Sequence, residues 1–182
     1  MLITVGGAPV AAVDPAFCID RAPLTDGEVI EAAGIEIEVM RTPGHTADSA
    51  CFVLADDGDH GSVLTGDTIL GRGTTVVAHP DGRLGDYLDS LRRLRSLTVD
   101  DGVHTVLPGH GPVLEDAQGV VEFYLAHRAH RLAQVETAVE NGYRTPDAVV
   151  EHVYADVNRA LWPAAELSVR AQLEYLEEHG LI

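Results

Sequence analysis

Three side chains able to hold a metal ion sit in three Gly/Pro/Thr turns of this chain. They are His45 in Thr42-Pro43-Gly44-His45-Thr46, Asp67 in Thr65-Gly66-Asp67-Thr68, and His110 in Pro108-Gly109-His110-Gly111. Imidazole and carboxylate both suit zinc, and a carboxylate can bridge two metals. Each turn falls where a strand is expected to end. Loops there can aim several side chains at one point while the sheet holds them still. Singly the signals are weak, because a lone loop His is more often a surface or hydrogen-bonded residue and Gly-Asp-Thr is a common turn. A catalytic zinc ion needs about three protein ligands plus an open position for water.

The elements that must position these turns can be read from periodicity. Ile35-Glu36-Ile37-Glu38-Val39 alternates apolar and acidic residues, the period of a half-buried strand. Ser49 to Ala55 and Ser62 to Leu64 read as two further strands joined by the Asp56-Asp57-Gly58-Asp59 turn, and Val103 to Leu107 as another. Between them, Asp86 is placed to cap a helix carrying Leu88, Leu91, Leu94 and Leu97 on one stripe. A long helix is expected from Ala117 to Glu140, closed by Asn141-Gly142. The order strand, strand, helix, strand, helix points to a sheet covered by helices. In the tail, Thr145 caps and Pro146 opens a helix through Val157. Pro163 opens another, to Glu178, with Leu167, Ala171, Leu173 and Leu176 as its apolar stripe.

Bulk properties bound the function. At 182 residues, 46% hydrophobic and 23% charged, the chain is sized for one domain or one plus a small appendage. No apolar run approaches a membrane span, and the opening residues lack the basic start of a signal peptide. Two cysteines, Cys18 and Cys51, suit a reduced cytoplasmic protein without disulfides. The net charge of −17 repels phosphate backbones. It also suits a site that concentrates cations, although an acidic solvated surface is the plainer reading.

Taken together, the ordered set T-P-G-H-T, T-G-D-T and L-P-G-H-G resembles the downstream half of the metallo-β-lactamase superfamily, through Asp26 to His130. The tail looks like the winged helix of its lactamase-beta-like protein 2 branch. The resemblance implies an α/β (α+β type) fold: the C-terminal half of a four-layer αββα sandwich over residues 1–141, then a winged-helix-like unit over 142–182. It implies a dinuclear centre, usually two zinc ions, with His45 on the first metal, His110 on the second and Asp67 bridging both while orienting the attacking water. Gly71-Arg72-Gly73-Thr74-Thr75-Val76-Val77 matches the loop that lines the substrate cleft. Thr74, Thr75 and, near the Pro80-Asp81-Gly82 turn, His79 are therefore candidate substrate contacts. Gly7-Ala8-Pro9-Val10 resembles the strand that follows the H-x-H-x-D-H region. The chain is thus expected to begin just past that motif, by a misplaced start, an internal start or truncation, and to bind zinc poorly alone.

Other polar residues carry plainer expectations. His104 sits in a strand, where a packed or partly exposed imidazole is expected, and His60 follows an acidic turn and is expected to be exposed. His127, His130 and Arg131 form a solvated Arg/His helix face, and Asp14 and Asp26 fit turn roles. Neither cysteine has a neighbouring base that would mark a nucleophile. The first functional reading is a metal-dependent hydrolase, impaired by truncation. A small ester or thioester suits the acidic chain better than RNA, though cleavage of single-stranded RNA stays open as an alternative. A second reading is a non-catalytic module that oligomerises through the sheet face left bare. A third reading, a DNA-binding winged-helix transcription factor, comes last, because residues 141–182 hold three Arg against seven acidic residues and offer no basic recognition helix.

Overall fold

The computed structural model describes residues 2–5, 8–12, 24–32, 34–55, 60–77 and 79–182. The expectations for Asp14, Cys18 and the Asp56–Asp59 turn fall outside these residues. Strands β1 (Leu2–Val5) and β2 (Ala8–Ala12) form an antiparallel ribbon. A five-stranded sheet follows in the order β3 (Val29–Ala32), β4 (Ile35–Arg41), β5 (Ala50–Leu54), β6 (Gly61–Gly66), β7 (Val103–Pro108). β3, β4, β5 and β6 pair antiparallel in turn, whereas β6 and β7 are parallel. A parallel pair needs a crossover, here α1 (Leu84–Asp100). The pairing also makes β4, β6 and β7 run the same way. Their C-terminal ends, Arg41, Gly66 and Pro108, therefore share one edge of the sheet.

The remaining elements are α2 (Ala117–Glu140), α3 (Pro146–Val153), a 3-10 turn (Arg159–Leu161) and α4 (Trp162–Glu178). The Asp116 carboxylate accepts from the Gly119 N–H at 3.0 Å and caps α2. None of the described helices is long and apolar enough to cross a membrane.

Several boundaries and caps differ from expectation. Asp86 does not cap α1. Arg83 holds that position, and Asp86 lies in the first turn, where a carboxylate still favours the helix dipole. α3 stops at Val153 rather than Val157, and the Thr145 side chain makes no capping bond to it. Leu167 is exposed. Ser168, Val169, Ala171, Gln172 and Leu176 form the buried side of α4, because the helix packs on two sides and not along one stripe.

The sheet register decides where the core sits. Cys51 and Val53 alternate on one face of β5, and Val53 faces Val63, which faces Val106. All four are nearly or fully buried with Tyr87, Leu91 and Leu94 of α1 and Val121 and Tyr124 of α2. Burying a side chain of this size stabilises the fold by about 1.5–3 kcal/mol. A second cluster joins Val135 and Ala138 of α2 to Val149 and Val150 of α3 and Val169 and Leu176 of α4. The opposite sheet face is apolar too: Ile37, Phe52, Leu64 and Leu107 are half-buried and Val39 is buried.

Candidate metal centre

The three loops leaving that shared edge carry His45, Asp67 and His110. Asp67 lies between the two imidazoles. Its Oδ2 is 3.8 Å from His45 Nε2 and its Oδ1 is 3.6 Å from His110 Nε2. Both distances are too long for a hydrogen bond. Two donors at about 2.0–2.1 Å on one tetrahedral zinc stand roughly 3.3 Å apart, so each His–Asp pair is open by a few tenths of an ångström. One carboxylate thus offers one oxygen to each of two separate imidazoles.

His45 is oriented from behind. Its Nδ1 lies 2.7 Å from the Val76 carbonyl. A carbonyl oxygen can only accept, so Nδ1 is the donor there, and Nε2 is the ring nitrogen that faces Asp67. Metal-binding histidines are held this way by outer partners.

Each loop is tied down by small residues and hydroxyls. Gly44 has φ 138°, and a Cβ there would stand 2.3 Å from Tyr87 Cα, so the His45 loop rests directly on the α1 backbone. Ser90 donates to the Pro43 carbonyl at 2.8 Å. Buried Thr42 shares a hydrogen bond with Thr68, oxygen to oxygen 3.2 Å. Tyr87 donates to the Thr68 carbonyl at 2.7 Å. The His110 loop hangs on the Asp67 loop: the Gly109 N–H donates to the Gly66 carbonyl and the Gly71 N–H to the His110 carbonyl, each 2.8 Å.

Thr75 is buried, and its hydroxyl donates to the Asp67 carbonyl at 2.6 Å and the Thr68 carbonyl at 3.2 Å. It therefore holds the aspartate turn from beneath. Thr74 and His79 are half-buried. His104 and His60 are exposed and stacked, with ring centroids 4.1 Å apart. The Arg/His face of α2 is less solvated than expected: Arg131 reaches Gln134 at 3.0 Å and lies over the Tyr154 ring, 4.6 Å to its centroid. His127 is half-buried, and burial, then Arg128, Arg131 and His130, hold its pKa below the usual value. Asp26 is more than a turn residue. It accepts from the Arg41 N–H at 2.7 Å and from the Arg93 guanidinium at 3.0 Å. Cys51 is fully buried and its thiol is pushed up to about 11, chiefly by burial, so it is no nucleophile.

Arg128 escaped the sequence reading. It is 6% exposed, donates to the Thr75 carbonyl, and sits 5.0 Å above the Tyr87 ring. Its signal was present: Ala117, Val121, Tyr124 and Arg128 recur at four, three and four residues, the buried stripe of α2.

Residues 18–110 match the profile of the Metallo-beta-lactamase superfamily, and residues 145–182 that of the Beta-lactamase associated winged helix domain. The chain belongs to the metallo-beta-lactamase superfamily. A Drosophila melanogaster relative, a Beta-lactamase-like protein 2 homolog, is 33% identical over 161 residues, covering 87% of this chain and 51% of the relative. An Atrochrysone carboxyl ACP thioesterase of Aspergillus fumigatus is 36% identical over 118 residues, 65% of this chain and 34% of that one. Among solved structures, a metallo-beta-lactamase family protein of Thermus thermophilus superposes with TM-score 0.74 at 31% identity, over 89% of this chain and 50% of that chain. The chain thus spans about half the length of the fly and Thermus relatives.

The donors fit a metal in type and spacing, but not in number. Among the described residues no group of three or more His, Cys, Asp or Glu converges on one point. His45 with Asp67, and Asp67 with His110, each make one edge of a site. A catalytic zinc needs about three protein ligands, so each edge by itself is short of a complete set. The cavity of about 330 Å³ lined by His130, Gln134, Thr137 and His152 shares no residue with this centre.

Proposed function

We propose that this chain carries the His45, Asp67 and His110 part of a zinc-dependent hydrolase site for small acyl esters or thioesters, impaired until further ligands complete it. The observation that carries the reading is Asp67, whose two oxygens face two different imidazoles at 3.8 and 3.6 Å. His45, Asp67 and His110 would contribute ligands to a divalent cation, which would supply Lewis acidity toward an acyl carbonyl and a bound water. The chain's own part is positioning. The Val76 carbonyl fixes the tautomer of His45, Thr75 holds the Asp67 turn, and Gly109 joins the His110 loop to it. Asp67, at 42% side-chain exposure, would be open to an incoming water as a hydrogen-bond acceptor.

Acyl substrates are favoured over RNA by the net charge of −17. The thioesterase name of the Aspergillus relative supports the same choice. The buried free thiol of Cys51 suits a reducing, cytoplasmic setting.

The test is zinc per chain by elemental analysis after dialysis, wild type against His45→Ala, followed by hydrolysis assays with added zinc. Bound zinc lost in the variant, with zinc-dependent thioester hydrolysis, supports the proposal. Equal zinc in both proteins removes it. RNA cleavage that weakens steeply with salt, with thioesters untouched, would replace the substrate class.

The two-donor edges and the apolar face of Ile37, Phe52, Leu64 and Leu107 favour a second reading, a non-catalytic module that self-associates. It requires a dimer or larger species by sedimentation and a melting temperature indifferent to zinc. A monomer strongly stabilised by zinc refutes it.

A further inference from the structure

The segment Thr75–Val77 is gripped at three successive residues by three different elements. The Thr75 carbonyl accepts from the Arg128 guanidinium of α2. The Val76 carbonyl accepts from His45 Nδ1–H at 2.7 Å. The Val77 N–H donates to the Ser168 hydroxyl of α4 at 3.3 Å. Thr75, Val77, Arg128 and Ser168 are all less than 9% exposed, at 3%, 1%, 6% and 7%.

The two outer grips fix the peptide planes on either side of Val76. A peptide is planar and its carbonyl direction follows ψ of its own residue and φ of the next. Pinning the Thr75 carbonyl and the Val77 N–H therefore sets where the Val76 carbonyl points. Val77 N and the Val76 carbonyl belong to the same peptide unit, and its two ends point in opposite directions. Ser168 holds the N–H end, so the carbonyl end is aimed at His45.

We propose that Ser168, with Arg128, is a positioning residue for His45: the C-terminal winged-helix unit sets the tautomer and aim of an imidazole that lies in the other part of the chain. The functional weight of this inference rests on the hydrolase reading, but the coupling itself does not. Arg128 contributes because its buried guanidinium finds the Thr75 carbonyl and the Tyr87 ring, a costly charge to desolvate unless both are in place. Ser168 is in turn set by its helix, where its own carbonyl accepts from Gln172 Nε2 at 3.0 Å. A winged-helix unit in this arrangement acts as a brace for the site.

The experiment is a long-range 1H–15N correlation of the whole, metal-free 15N-labelled chain at pH 8.5, where the neutral ring reports its tautomer. Wild type, Ser168→Ala, Ser168→Thr and the surface control Arg170→Ala are compared, each with its melting temperature. Wild-type His45 is expected almost wholly as the Nδ1–H form. Ser168→Ala should raise the Nε2–H population severalfold and speed exchange of the Nδ1 proton, while Ser168→Thr restores both and Arg170→Ala changes neither. A lower melting temperature with an unmoved His45 tautomer would mean that Ser168 only packs, and the proposal fails. It also fails if wild-type His45 is the Nε2–H form. Should Ser168→Ala not fold, Arg128→Lys gives the same readout through the Thr75 carbonyl. A coupled His45 in a chain that hydrolyses no acyl substrate would sink the hydrolase reading and leave this one standing.

Discussion

Replacing Gly44 by alanine places a methyl group where the His45 loop meets α1. The new Cβ would stand 2.3 Å from Tyr87 Cα and 2.6 Å from Tyr87 N. These are helix backbone atoms, so no rotamer change relieves the clash. Reaching even a 3.4 Å contact requires the loop to retreat by about 1.1 Å (3.4 minus 2.3). Overpacking of this kind costs about 1–3 kcal/mol. The backbone at φ 138° adds strain of about 1–3 kcal/mol for any residue with a Cβ. The expected loss is therefore about 2–6 kcal/mol. Gly102→Ala is the matched control. Its φ is 72°, but nothing lies within 4 Å of the added methyl, so only strain of about 1–2 kcal/mol applies. Urea unfolding of both variants separates clash from strain. Zinc uptake should fall further in Gly44→Ala, because a 1.1 Å retreat is large beside the 3.8 Å separation of His45 and Asp67. Gly44→Ala within about 1 kcal/mol of Gly102→Ala would refute the reasoning, since the loop would then not be seated on α1.

Further outcomes follow from the buried groups. In a Cys18→Ser background, Cys51 should resist a thiol reagent at pH 8 until the chain unfolds, since its thiol is buried and raised to about 11; prompt labelling of the native state would contradict this. Asp26 has its pKa lowered from 3.8 by the Arg41 N–H first and by Arg93 next. Its contribution is thus fully present above the unfolded value near 4 and lost as pH falls below it. Asp26→Asn should cost about 0.5–1 kcal/mol at pH 7, and the urea midpoints of the two proteins should converge as pH falls through the lowered Asp26 pKa.

The site was legible in the sequence because its residues announce themselves locally. His45, Asp67 and His110 each sit in a turn whose Gly, Pro and Thr are required by the backbone there, as Gly44 illustrates. Strands and helices with clean periods, such as β4 and α2, were equally readable. Leu167 misled because α4 is buried on two sides, where the apolar period no longer marks one stripe. Arg128 went unread, and Thr75 was read as a substrate contact, because both are polar. Both are buried because carbonyls and an aromatic ring wait for them, and those partners lie 53 residues away for Arg128 and 8 for Thr75.

Residue types and turn chemistry by themselves marked which side chains could bind metal, through local rules of conformation and ligand preference, and the ordered motifs carried the resemblance to the family. Only the tertiary structure decided that Asp67 stands between His45 and His110, that Val76 aims His45, and that Ser168 of the C-terminal unit grips the neighbouring peptide. Those facts arise from β4, β6 and β7 running in one direction and from α2 and α4 closing over the loops. Distances of a few ångströms between residues far apart in the chain are set by strand pairing and packing, which no single stretch of sequence encodes.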